Sequence, residues 1–316
     1  MSESPVFVDH NQISVALTTY NGQDHIKEQL YSILNQTLTP YEIVICDDNS
    51  TDDTVIIIEN IAKSYNQIKL FVNKQNLGIN FNFQKAISLC NGEYIALSDQ
   101  DDIWAPEKLM IQLASILEFE DINGRALLSA HDFSVISSEG KLQLNSIYKH
   151  RILGIKPNNT LLFANNYWGC TMMFNKALKK LILPFPSEIH THDHWITLNA
   201  FCFGQIIQIE ETLIKYRRHG KNYSPFENNP LPSLLVRIPK YFIGTFKKDY
   251  YQSEIIQLKA FYSKHEKTIN FKLKKDIKSI VNLSNKINLW RKITFTIIYR
   301  LKKNRKRVLQ TIYHHD

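Results

Sequence analysis

The sequence has only four cysteines, Cys46, Cys90, Cys170 and Cys202, spread along the chain with no pair at CxxC spacing. That pattern argues against a zinc framework and a disulfide-stapled fold, and it suits the cytosol. Glycine is scarce as well, and neither GxGxxG nor GxxxxGK[ST] follows the first strand-like run. A dinucleotide fold or a P-loop, each of which cradles phosphate on backbone N–H groups, is thereby set aside. No uninterrupted apolar run reaches the about 18 residues that a membrane-spanning helix needs. The opening MSESPVFVDHNQ lacks the charged start and apolar centre of a secretory signal. A cytoplasmic location is expected.

What is present begins with size and charge. At 316 residues and 44% hydrophobic, the chain can bury one large core and still carry a smaller module. Its net charge of +8 is uneven. From Leu231 onward there are 20 Lys and Arg against 5 Asp and Glu, so the preceding residues are net acidic. An acidic body can hold a divalent cation, and a basic tail can attract an anionic surface. In that tail Trp290, Phe295, Ile297, Ile298 and Tyr299 lie among Arg291, Lys292 and the run Arg300–Arg307. This mixture favours an amphipathic element on an anionic membrane over a solvated face or a nucleic-acid arm. No nucleic-acid module is recognisable, and no nucleic-acid partner is expected.

From Ile13 onward, short β-branched runs alternate with segments of helical period, the pattern of a mostly parallel sheet flanked by helices. Strands are expected at Ile13–Thr19, Glu42–Cys46, Lys69–Val72, Tyr94–Ser98, Ala126–Ile136 and Cys170–Phe174. Helices are expected near His25–Asn35, Asp53–Ser64, Phe81–Leu89, Pro106–Glu118, Lys176–Leu181 and Asp193–Phe203. The proline- and asparagine-rich run Asn222–Pro232 marks a boundary. A catalytic domain over residues 1–224 and a basic, mainly helical extension over 225–316 follow, with helical spacing at Leu234–Phe246 and Phe271–Leu301.

Open α/β sheets bind ligands at the carboxyl ends of their strands. There the sequence places Thr18-Thr19-Tyr20-Asn21-Gly22, then Asp47-Asp48-Asn49-Ser50, then Asp99-Gln100-Asp101-Asp102. Clustered carboxylates suit a hard cation such as Mg²⁺ or Mn²⁺, which can neutralise the oxygens of a diphosphate. Taken singly, these residues are also ordinary turn formers and helix caps. Asp193 could equally cap its helix, and His219, beside Arg218, could be a surface residue. Trp104 and Trp168 could be packing aromatics.

In order and spacing, SVALTTYNG, EIVICDDNSTDDT, NLGINFNFQKAI and GEYIALSDQDDIWAPEKL resemble the N-terminal half of family 2 glycosyltransferases with the GT-A fold. WGCTMMFNKAL, THDHWITLNA and IKYRRHGKNYS resemble the bacterial rhamnosyltransferase-like branch of that family. The resemblance covers about two thirds of the chain. It implies a GT-A α/β fold and assigns Thr18, Tyr20 and Asp48 to the nucleoside. Asp99-Gln100-Asp101 resembles the DXD element, with Asp101 a metal ligand and Asp99 at ribose or sugar. The resemblance further places Asp102 at sugar or acceptor, Gly169 where backbone meets donor, Asp193 as general base, and His219 near metal and diphosphate.

The implied enzyme is an inverting transferase that moves a sugar from a UDP- or dTDP-linked donor, dTDP-rhamnose among them. Its acceptor would be a lipid-linked or surface polysaccharide at the inner face of the membrane. Two rivals remain open at this stage, a sugar nucleotidyltransferase and a non-catalytic nucleotide-sugar or membrane-binding module.

Overall fold

The run ISVALTT, apolar but for Ser14 and its two closing threonines, forms strand β1 (Ile13–Thr19), buried at every position, as a strand covered on both faces must be. The computed structural model describes residues 13–120, 124–150, 159–162, 165–220 and 252–285. β1 lies between two parallel neighbours, β2 (Glu42–Asp47) and, on the other side, β4 (Tyr94–Ser98), while β3 (Ile68–Val72) pairs parallel with β2. Helices α1 (Ile26–Leu34), α2 (Thr54–Ala62) and α3 (Ile79–Leu89) supply the crossovers. β3 has half-exposed positions in line with its place at the sheet edge.

After β4 the sheet becomes mixed. β5 (Ile103–Trp104), helix α4 (Lys108–Leu117), β6 (Ala126–Ile136) and the short β7 (Leu142–Leu144) precede β8 (Met172–Asn175). β8 runs antiparallel between β4 and β6. Helices α5 (Lys176–Ile182) and α6 (His192–Phe203) then lead directly into the long β9 (Gly204–Arg217), which lies parallel beside β6 and antiparallel to β5. The strand order among the described residues is β3-β2-β1-β4-β8-β6-β9-β5, with β7 on β6.

The core is built from fully buried side chains such as Leu17, Ile45, Phe83, Leu97, Phe174 and Trp195. Each such burial contributes about 1.5–3 kcal/mol. Trp195 also satisfies its indole N–H, which donates to the Ile182 carbonyl at the end of α5.

The chain divides into two compact units, the first holding the sheet. The second comprises Glu227 onward together with Asn158–Asn165 and Glu188–His190. Its described helices are α7 (Gln252–His265) and α8 (Phe271–Asn285). They bury Leu258, Phe261, Ile277 and Ile280. The His190 N–H donates to Gln257 Oε1 at 2.8 Å. Among the described residues no helix is long and apolar enough to cross a membrane.

The expected strand at Cys170–Phe174 begins two residues later, because Gly169–Thr171 forms a tight 3-10 turn. The Thr171 N–H and hydroxyl both donate to the Trp168 carbonyl, at 3.0 and 2.8 Å. β5, β7, β9 and α7 are additions to the elements expected from the sequence. The boundary at residue 224, the helix at Leu234–Phe246 and the segment Trp290–Arg307 lie outside the described residues.

Candidate functional site

The loops after β1 and β2 are stitched together by side chains. The Asp47 carboxylate accepts from the Thr19 hydroxyl at 2.7 Å and from the Ser50 N–H and hydroxyl at 2.8 and 2.6 Å. Asn21 and Asn49 adopt positive φ, 48° and 66°, a conformation that asparagine tolerates. The Asn21 N–H donates to Ser50 Oγ, and Asn21 Oδ1 accepts the Thr51 N–H. Asp48 is 3% exposed, and its carboxylate accepts three hydrogen bonds. These come from Asn73 Nδ2 at 2.7 Å, the Leu77 N–H at 2.7 Å and the Gly78 N–H at 2.9 Å. A carboxylate has about four acceptor positions, so roughly one remains open to a ligand. Thr18 is buried at the end of β1, whereas Tyr20 is 49% exposed on the rim.

The acidic loop after β4 is tied to the loop after β1 by a reciprocal pair. The Tyr20 N–H donates to Gln100 Oε1 at 2.8 Å, and Gln100 Nε2 donates back to the Tyr20 carbonyl at 3.1 Å. Gly22 makes this seat possible, since a Cβ there would stand 2.3 Å from Gln100 Oε1. β5 then lays the loop against the end of β9, with Ile103 paired to Lys215 and Trp104 to Ile214. That pairing is what brings His219 to Asp101, whose Oδ2 lies 2.8 Å from His219 Nε2. The His219 ring stacks on His25, with centroids 5.3 Å apart.

Asp193 stands in the first turn of α6. Its helix is capped not by Asp193 but by Thr191, whose hydroxyl accepts the His194 N–H. Asp193 Oδ1 also accepts that N–H, at 2.6 Å. Gly169 lies under the neighbouring His192, where a Cβ would come within 2.6 Å of its Nε2. The bareness of Gly169 therefore seats the His192 ring, which stacks on Phe83 at 4.1 Å between centroids.

Electrostatically the acidic loop is crowded. Burial, then the Asp101 and Asp193 charges, push the Asp99 carboxyl up to about 7. Burial, then Asp101 and Asp99, push Asp102 well above the carboxylate range. Asp99, Asp102 and Cys170 gather their ligand atoms within 4.8 Å of one another. Burial, then Asp102, raises the Cys170 thiol well above its ordinary value.

Comparisons with known proteins identify the family and the fold. The model of the family described as Glycosyl transferase family 2 matches residues 14–182, more than half of the chain. The chain belongs to glycosyl transferase family 2. WfgD of Escherichia coli, a UDP-Glc:alpha-D-GlcNAc-diphosphoundecaprenol beta-1,3-glucosyltransferase, is 27% identical over 214 residues, covering 66% of this chain and 78% of WfgD. Chondroitin synthase of E. coli is 27% identical over 247 residues, covering 72% of this chain but only 34% of that protein. Among solved structures, S. aureus TarS in complex with UDP superposes with a TM-score of 0.58 at 19% identity, covering 94% of this chain and 78% of TarS. The mannosyltransferase PcManGT from Pyrobaculum calidifontis, in complex with GDP-Man and Mn²⁺, gives 0.50 at 15% identity, covering 90% and 87%. The fold of this family 2 chain is accordingly GT-A-like, an α/β mixed sheet flanked by helices.

The donor set of this family 2 chain fits a hard divalent cation. Carboxylates raised by burial and by neighbouring charge would be relieved by one, and Asp101 with His219 offers oxygen and nitrogen atoms already side by side. Sequence reasoning missed two supporting side chains. Arg217, 3% exposed, bonds the acidic loop through both backbone and guanidinium. Lys108 is fully buried behind the loop, its Nζ 2.7 Å from Gln112 Oε1 and 3.8 Å over the Trp104 ring. Burial lowers Lys108 to about 7, while Cys170 and Asp102 oppose the fall. Their signal was the IWAPEK and YRRH contexts, which display the residues but not their partners. Trp168 packs edge-on against Phe133 at 4.8 Å.

Proposed function

We propose that this family 2 chain is an inverting, metal-dependent glycosyltransferase that moves a sugar from a nucleoside-diphosphate donor to a lipid-linked or polysaccharide acceptor. The observation that carries the reading is the meeting of Asp99, Asp101, Asp102, Asp193 and His219 around one acidic loop, one strand from Asp48. Thr18, Tyr20 and Asp48 bind the nucleoside, with the open acceptor position of Asp48 suited to a base N–H or a ribose hydroxyl. Asp99 faces ribose or sugar, Asp102 backs the loop on the sugar side, and Gly169 with its neighbours lines the donor.

Asp101 and His219 would hold Mg²⁺ or Mn²⁺, which would supply charge neutralisation to the departing diphosphate. Asp193 takes the proton from the acceptor hydroxyl as its oxygen attacks the anomeric carbon opposite the leaving group. The new C–O bond forms as the bond to the diphosphate breaks, and one displacement inverts the centre.

UDP is the favoured nucleotide, since TarS binds it and the name of WfgD carries UDP-Glc. The rhamnosyltransferase-like segments keep dTDP-rhamnose among the candidates. A diphosphoundecaprenol-type acceptor, such as the name of WfgD prints, accords with the basic charge of the C-terminal region and with work at the cytoplasmic face of a membrane. The test is a panel of UDP-, dTDP- and GDP-sugars against the purified chain with Mn²⁺, Mg²⁺ or EDTA, followed by thermal shift and nucleotide release. One donor should stabilise the protein in the presence of metal. Equal responses to every nucleotide, or to none, would reject the reading.

A further inference from the structure

Arg217 ends β9 two residues before His219, and its side chain is almost wholly withdrawn from solvent. Its contacts form a clamp. Its backbone N–H donates to Asp102 Oδ1 at 3.2 Å, and Nε donates to the backbone carbonyl of Asp101 at 3.0 Å. Nη1 donates to the Ser138 carbonyl at 2.8 Å, and Nη2 to Glu28 Oε2 on α1 at 2.6 Å. Among the described residues, one guanidinium thus joins the acidic loop, the turn after β6 and the helix after β1.

The choice of acceptors is informative. An arginine set to neutralise the loop would form its bidentate pair with a carboxylate there. Here the described guanidinium bonds within the acidic loop go to the Asp101 peptide oxygen, while the ion pair is made outside the loop with Glu28. The loop is fixed in place, with Asp101 Oδ2 lying 2.8 Å from His219 Nε2.

We propose that Arg217, anchored by Glu28, is a positioning residue that presets Asp101 and Asp102 for the divalent cation. This rests on the metal-dependent reading above. Partners one shell out from a metal ligand commonly change metal affinity by about 10–100-fold when removed. Arg217→Lys keeps the charge but loses the planar fork. Glu28→Gln, at a side chain 57% exposed, removes the anchor charge and tests the same clamp where folding is not at risk.

The experiment is Mn²⁺ titration of the full chain without donor, read by electron paramagnetic resonance of free Mn²⁺, beside circular dichroism of each variant. Arg217→Lys should raise the Mn²⁺ dissociation constant by about tenfold or more. Glu28→Gln should raise it a few-fold, about what a partly exposed ion pair can supply. The double variant should fall short of the product of the two, because the residues act as one unit. In transfer assays the Mn²⁺ requirement should rise while the rate at saturating Mn²⁺ recovers most of its value.

A folded Arg217→Lys with unchanged Mn²⁺ affinity overturns the proposal. Should that variant not fold, an unchanged affinity in Glu28→Gln overturns it instead. The parent chain is the control that separates the two readings. If it binds no Mn²⁺, the metal-dependent function fails first and takes this proposal with it, whereas normal Mn²⁺ binding by parent and variants alike rejects Arg217 alone.

Discussion

The two acidic strand ends of this sheet, one after β2 and one after β4, are built on opposite principles. After β2, the described bonds of Asp47 and Asp48 come from hydroxyl, amide and backbone donors at 2.6–2.9 Å. After β4, Asp99 and Asp102 are pushed up first by burial and then by neighbouring carboxylates, Asp101 and Asp193 for Asp99 and Asp101 and Asp99 for Asp102. The first end is mainly a scaffold whose carboxylates hold loops in place, with one acceptor position of Asp48 left over. The second gathers buried carboxylates close together, a charge that a divalent cation would relieve. Position at a strand end therefore does not fix an aspartate's task; the supply of donors does.

The contrast can be broken most decisively at Asp101. Asp101→Ala should abolish metal-dependent donor binding, measured by calorimetry with and without Mn²⁺, and donor affinity that still responds to metal removes Asp101 from the ligands. Asp193→Asn should leave donor binding intact while lowering transfer by about 10²-fold or more, the usual cost of losing a general base. Normal turnover in single-turnover assays would reject that role.

On the scaffold side, Asp48→Asn should act first on stability, because an amide cannot accept from Leu77, Gly78 and Asn73 together. A loss of about 1–3 kcal/mol in denaturant titration is expected, with weaker UDP binding following from the disturbed loop. Full stability with lost UDP binding would instead make Asp48 a pure ligand contact.

The smallest effect is in pH. Asp99 titrates at about 7 in the folded chain against an ordinary 3.8, so the folded state holds a proton that the unfolded chain releases. Its contribution is most favourable below pH 3.8 and is lost as pH rises through about 7. In EDTA, Asp99→Asn should therefore flatten the decline in Tm between pH 5 and 8. Mn²⁺ should stabilise the parent chain more at pH 8 than at pH 5, and an identical profile in the variant would show that another group titrates.

Much of this was legible beforehand, for a physical reason. β1, β4 and β6 begin and end where the sequence places them, because buried strands are predominantly apolar segments set between turn residues. β9 was hidden because α6 passes into it at Gly204 with no intervening turn, and Glu210-Glu211 breaks its alternation. The aspartates of the site announced themselves by clustering. Arg217 did not, since its meaning lies in partners 189 and 116 positions away.

The pairing of β9 with β6 slips between Ile209, opposite His131, and Ile214, opposite Phe133, so β9 carries three residues more than its partner there. Side chains along a strand alternate with period two, and an odd surplus exchanges the faces. This short stretch therefore works as a spacer whose length decides which way the chain's next basic and imidazole groups look. Substitution at Glu210 or Glu211 should be easily absorbed, but the loss of a single residue would turn Arg217 away from the acidic loop.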